Sequence, residues 1–136
     1  AGSRETIMGP DVFRDVIARL RRVDAIAIAA GDLSRRSLPL QVGQPRDVSA
    51  RERIAPGGVG DIPGTVIDAE GGAPAHPPDA RVIGTGLDYP GPIADVILAA
   101  GGLHKVPVVR AALRRGVVKT LATGKATARA LPERGA

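Results

Sequence analysis

Gly101-Gly102, His104 and Lys105 stand directly behind the apolar run Val96-Ile97-Leu98-Ala99-Ala100. A run without a polar side chain suits a parallel strand buried on both faces, and a glycine pair lets the chain turn tightly out of it. The stretch that follows, from His104-Lys105 onward, reads as an amphipathic helix. Backbone amides, the positive end of a helix dipole and the Lys105 ammonium then converge on one corner, an arrangement that holds a phosphate or carboxylate. The chemistry on offer is the binding of a small anion rather than a reaction. For Lys105 two readings stand side by side, an anion contact and an ordinary solvated lysine on a helix.

A second cluster is Gly57-Gly58-Val59-Gly60-Asp61-Ile62. Gly58 and Gly60 would allow the backbone to approach a ligand closely, and Asp61 could accept hydrogen bonds from sugar hydroxyls. The alternative is a tight turn in which Asp61 caps a neighbouring amide. The dinucleotide fingerprint fails here because Pro63 stands where its third glycine belongs, and Gly84-Thr85-Gly86 fails in the same way at Tyr89. Thr123-Gly124-Lys125 is not a P-loop, since Lys119 and Ala126 replace the glycine and the Ser/Thr that such a loop needs. His76 and His104 are isolated and there is no cysteine, which is too little for a metal site. Neither a metal nor a cofactor is expected.

The elements that must position these residues alternate between helix and strand. Gly9-Pro10-Asp11 opens a helix whose apolar stripe runs through Val12, Phe13, Val16, Ile17, Leu20 and Val23, with Asp15 and Arg19 spaced as an ion pair. The segment from Ala25 to Ala30 reads as a buried strand that stops at Gly31. Between Asp32 and Gly60 prolines and glycines break the pattern, leaving one short helical turn around residues 49–54. A strand over residues 64–69, a turn at Glu70-Gly71-Gly72 and a short extended piece over 81–84 follow. The last third reads strand, helix, strand, helix. This order predicts an α/β fold with a mostly parallel sheet flanked by helices, and a ligand at the carboxyl ends of its strands.

Composition narrows the function further. With 136 residues the chain makes one domain at most, and the missing cysteines exclude disulfides and suit a reducing compartment, hence the cytoplasm. No apolar run is long enough to span a membrane. The formal net charge is +5, yet the arginines are dispersed and Phe13 and Tyr89 are the only aromatics, so no stacking platform for single strands exists.

Taken in order, several segments resemble the SorC-type sugar-binding transcriptional regulators. They are Gly58-Val59-Gly60-Asp61-Ile62, Ile67-Asp68-Ala69-Glu70-Gly71, His76-Pro77, Arg81-Val82-Ile83-Gly84, Ala100-Gly101-Gly102 with Lys105, Ala111-Ala112-Leu113-Arg114 before Gly116, and the run from Ala126 to Leu131. The resemblance extends from about Arg4 and is densest from Gly58 to Leu131. It implies the distal half of an effector domain related to phosphosugar isomerases and glucosamine-phosphate deaminases. It also implies a phosphorylated sugar as effector and DNA contact only through a separate helix-turn-helix domain; a homo-oligomer is expected because half a domain leaves apolar strand surface and edges uncovered. Lys105 matches the lysine that contacts the effector phosphate, and Asp61 matches a carboxylate in the sugar-contacting loop, with Gly58, Gly60, Gly101 and Gly102 as backbone contacts. The chain differs from the family pattern at Gly124-Lys125, where an acidic pair is usual, and at Thr65-Val66-Ile67, where aromatics are usual.

Two further readings compete with a sugar-responsive regulator. One is an enzyme related to the isomerases and deaminases, for which Gly31-Asp32-Leu33-Ser34-Arg35 supplies an aspartate but no histidine partner. The other is a module that only oligomerises. No helix-turn-helix can be read here, since Pro56 to Pro63 breaks one candidate and the final helix after Gly124 has no helical partner, so no sequence-selective binding of duplex DNA by this chain is expected. A gel shift at physiological salt checks this, and a sequence-selective complex overturns it, whereas weak, salt-sensitive binding does not.

Overall fold

The computed structural model describes residues 11–20, 22–33, 57–63, 65–72 and 95–131. The expected turn over residues 49–54, the extended piece over 81–84 and His76 lie outside them. Helix α1 spans Asp11–Leu20, with an acidic first turn and Arg19 in the last. It stops short of Val23, tightening into a turn bonded from Arg22 to Arg19. The ion pair on its surface is Arg14 with Asp11, not the expected Asp15 with Arg19.

Two three-stranded sheets follow. Strands β1 (Ala25–Ala29), β5 (Asp95–Ala99) and β6 (Thr120–Ala122) form a parallel sheet in the order β1-β5-β6. Strands β2 (Gly31–Asp32), β3 (Gly58–Ile62) and β4 (Thr65–Asp68) form an antiparallel one in the order β2-β3-β4. The chain passes from the first sheet to the second through Ala30. The parallel sheet agrees with expectation and the antiparallel one is an addition to it. Gly58–Ile62, expected as a glycine loop, is a strand with a bulge between Gly58 and Gly60.

Between β5 and β6 run a 3-10 turn, Leu103–Lys105, and helix α2, Val106–Arg114, with Pro107 in its first turn. Helix α3 (Lys125–Ala130) follows β6. The order strand, helix, strand, helix in this region is therefore as expected. Helix α2 buries Val106, Val108, Val109, Ala111 and Ala112. Four of these join Ile28, Ala30, Ile62, Ile67, Leu98 and Ala100 in one core shared by both sheets. Gly60 permits this, because a side chain there would collide with Val108 and with the Gly31 carbonyl.

The parallel sheet is not buried on both faces among the described residues. In β1 only Ile28 is buried and Ile26 half-buried, while Ala25, Ala27 and Ala29 are exposed. In β5 Leu98 points into the core, and Asp95 and Ala99 are exposed. In β1 size alternates where polarity does not: the isoleucines turn to the core and the alanines face away from it.

The turn after β4 docks on the end of α2. Asp68 Oδ1 accepts the Gly72 amide at 2.7 Å and the Glu70 amide at 3.1 Å, and the Gly71 amide bonds to the Asp68 carbonyl. Arg115 donates to the Gly71 carbonyl at 2.7 Å and Arg114 to that of Ala69 at 3.1 Å. Gly71 has φ +83, and a Cβ there would strike the Ala111 carbonyl and lie 2.8 Å from the Arg115 amide. Gly71→Ala is expected to destabilise the fold by about 2–4 kcal/mol, the left-handed backbone and the backbone collision adding together. Gly116→Ala, at a similar φ of +78 but with open space around it, should cost only about 1–2 kcal/mol. Denaturant unfolding of both variants checks this, and equal losses would remove the docking argument.

Candidate functional site

In a parallel sheet all strands deliver the chain to one edge. Ala29, Ala99 and Ala122 end their strands in register, and Ala100 donates to the Ala122 carbonyl at 3.1 Å. Beyond this edge lie Gly31 after β1, Gly101-Gly102 and the 3-10 turn after β5, and Thr123-Gly124 after β6. The Gly124 amide would be 3.7 Å from a Cβ on Gly101, so the exits of β5 and β6 touch.

Gly102 carries the sharpest backbone feature, φ +110 with ψ 139, which disfavours any residue with a side chain. The His104 ring lies over it, and a Cβ at 102 would be 2.5 Å from His104 Cε1. The Gly102 carbonyl accepts the Lys105 amide at 3.0 Å, closing the 3-10 turn. Its own amide donates to Thr127 Oγ1 at 2.8 Å. The Gly102 amide expected to face an anion therefore faces α3. The backbone donors presented by the corner are those of Leu103 and His104, the first of the turn, which have no acceptor within it. Lys105 is half-buried at the junction with α2, and among the described residues no ion pair or hydrogen bond engages its ammonium. Leu103 is exposed to 63% at the tip.

Asp61 reaches the same edge from the other sheet. It pairs with Gly31 across β2 and β3, and its carboxylate rests on the Gly31 Cα, where a side chain would collide with Oδ1. Strand β2 in turn lies against the 3-10 turn. Gly101, Gly102 and Lys105 thus share one corner, and Asp61 is linked to it through Gly31 of β2. Gly58 and Gly60 stand apart from this group. Gly58 pairs with Asp68 at the far end of β3, and the space over Gly60 is filled by Val108 and the Gly31 carbonyl. Sequence reasoning missed Thr127, a buried threonine in a short helix, and the service Gly31 performs for Asp61. No local pattern marks either.

Among the described residues no group of His, Cys, Asp and Glu could hold a metal ion, and no helix is long and apolar enough to cross a membrane. The arrangement offers the Lys105 ammonium, the Leu103 and His104 amides and, through Gly31, the Asp61 carboxylate, a set that can bind a molecule carrying both an anion and hydroxyls.

Residues 1–132 match the Sugar-bind family, described as "Putative sugar-binding domain". A DeoR family transcriptional regulator from Listeria monocytogenes superposes with a TM-score of 0.81 at 21% identity, over 95% of this chain and 52% of the regulator. A transcriptional regulator from Streptococcus pneumoniae gives 0.77 at 22%, over 94% and 49%. The full-length sorbitol operon regulator SorC from Klebsiella pneumoniae gives 0.77 at 19%, over 94% and 40%. The chain thus spans about half the length of the regulators it matches. No curated protein matches it. The chain belongs to the Sugar-bind family of sugar-binding domains, with the fold found in transcriptional regulators of the DeoR and SorC type.

Proposed function

We propose that this chain is the ligand-sensing part of a sugar-responsive transcriptional regulator and binds a phosphorylated sugar without transforming it. The observation that carries this reading is the corner of Lys105 and the Leu103 and His104 amides at the exit of β5, with β2 lying against it and Asp61 paired to Gly31 of β2. The phosphate lies against Lys105 and the two amides, and Asp61 accepts from sugar hydroxyls. Binding biases the arrangement of subunits, and DNA contact belongs to a separate helix-turn-helix domain. The structural relatives are regulators rather than enzymes, which supports sensing over catalysis. The reducing interior of the cell is where such a regulator works.

Lys105→Ala is expected to weaken sugar-phosphate binding by about 1.5–3 kcal/mol, roughly ten- to hundredfold, with the melting temperature unchanged. Asp61→Asn should reduce discrimination between sugars more than affinity for inorganic phosphate, since a carboxylate reads hydroxyls and repels anions. Calorimetric titration with several hexose phosphates checks both, and equal affinity of wild type and Lys105→Ala refutes the assignment.

A homo-oligomer belongs to the same reading. The exposed alanines of the parallel sheet and the exposed Leu103, Val16 and Leu113 leave apolar surface in water. Sedimentation should show self-association across micromolar concentrations, and a stable, compact monomer throughout that range is the contrary result.

A further inference from the structure

We infer that Thr127 is a positioning residue for the anion corner: by accepting the Gly102 amide, its hydroxyl sets the direction in which the Leu103 and His104 amides meet a ligand. The inference rests on reading that corner as the phosphate site. Glycine has many open conformations, so its surroundings must select the one that Gly102 adopts. Two hydrogen bonds do so here, from the Gly102 amide to Thr127 Oγ1 at 2.8 Å and from the Lys105 amide to the Gly102 carbonyl at 3.0 Å. No side chain caps the turn. Each tether has a separate consequence.

The Lys105 bond directs the Gly102 carbonyl into the turn. In a trans peptide the next N–H points the opposite way, so the Leu103 amide faces out of the turn, toward the sheet edge. The Thr127 bond fixes the preceding peptide, and with it the φ of Gly102 on which that direction depends. Thr127 is suited to the task. It is 1% exposed, its branched side chain is stiff at χ1, and the helix that carries it is held elsewhere. Arg110 donates to the Ala130 carbonyl at 3.1 Å, and Leu131 packs against the core. The corner gives up one donor to α3, and the two that remain are aimed.

A purely structural cap would also leave the Thr127 hydroxyl bonded, so the test separates aim from stability. Wild type, Thr127→Val, Thr127→Ala and Thr127→Ser are titrated calorimetrically with fructose 6-phosphate and with inorganic phosphate. Thermal midpoints and exchange of the Gly102 amide proton are followed in parallel. The two variants without a hydroxyl should bind both probes roughly tenfold more weakly and exchange Gly102 faster, while Thr127→Ser stays within about twofold of wild type. Wild-type affinity in either hydroxyl-free variant overturns the inference and leaves the site standing. So does a Thr127→Ser variant as weak as Thr127→Val. A wild type that binds neither probe overturns the anion site and this inference together, and shows itself before any variant is compared.

Discussion

Helix α2 can lie where it does because Gly60 has no side chain. With Val108 seated on the backbone of β3, the helix buries one face against Ile62 and Ile67 and shares a core with Ile28 and Leu98 of the other sheet. Two three-stranded sheets are thereby joined over one core by a single helix. The same contact has a consequence at the helix start. Since α2 begins at the carboxyl edge of the parallel sheet and lies on β3, the Asp61 end of the antiparallel sheet is drawn to that edge. A side chain at position 60 would separate the sheets and disperse the candidate site together.

Helix α2 and its end engage three of the basic residues in main-chain hydrogen bonds. Arg110, Arg114 and Arg115 lie on or just beyond one helix, which in sequence invites a nucleic-acid reading. In the fold each donates to a main-chain carbonyl, of Ala130, Ala69 and Gly71 respectively. A guanidinium suits this work because it stays charged and offers several fixed donors. These arginines tie the turn after β4 and the end of α3 to α2. Their charge contributes to the net +5, but their hydrogen bonds are directed inward.

At the opposite edge the charges are few and divided by sign. The cation and the outward amides come from the exit of β5, and the carboxylate comes across from β3. In the proposed reading the hydroxyl-reading acid stands on a different element from the anion donors, which suits a ligand whose phosphate a nearby carboxylate would repel.

The stretch from Asp95 to Leu131 was legible in sequence because its signals are local: an apolar run, a glycine pair, helical periodicity and a second short strand. Lys105 and the glycine corner were legible for the same reason. The antiparallel sheet was not. Gly58-Val59-Gly60-Asp61-Ile62 has too many glycines to look like a strand, and its pairing depends on partners distant in the chain. The exposure of Ala25, Ala27 and Ala29 was hidden as well, since alanine is apolar in composition yet too small to demand burial. The bond between Gly102 and Thr127 spans 25 residues. The sequence by itself determined the strands and helices from Asp95 to Leu131 and set Lys105 behind the glycine corner. Only the tertiary structure decided that Asp61 joins that corner, that Gly60 packs a helix and that the Gly102 amide turns inward. Each of these is set by a close approach between distant segments, and local residue patterns carry no record of such contacts.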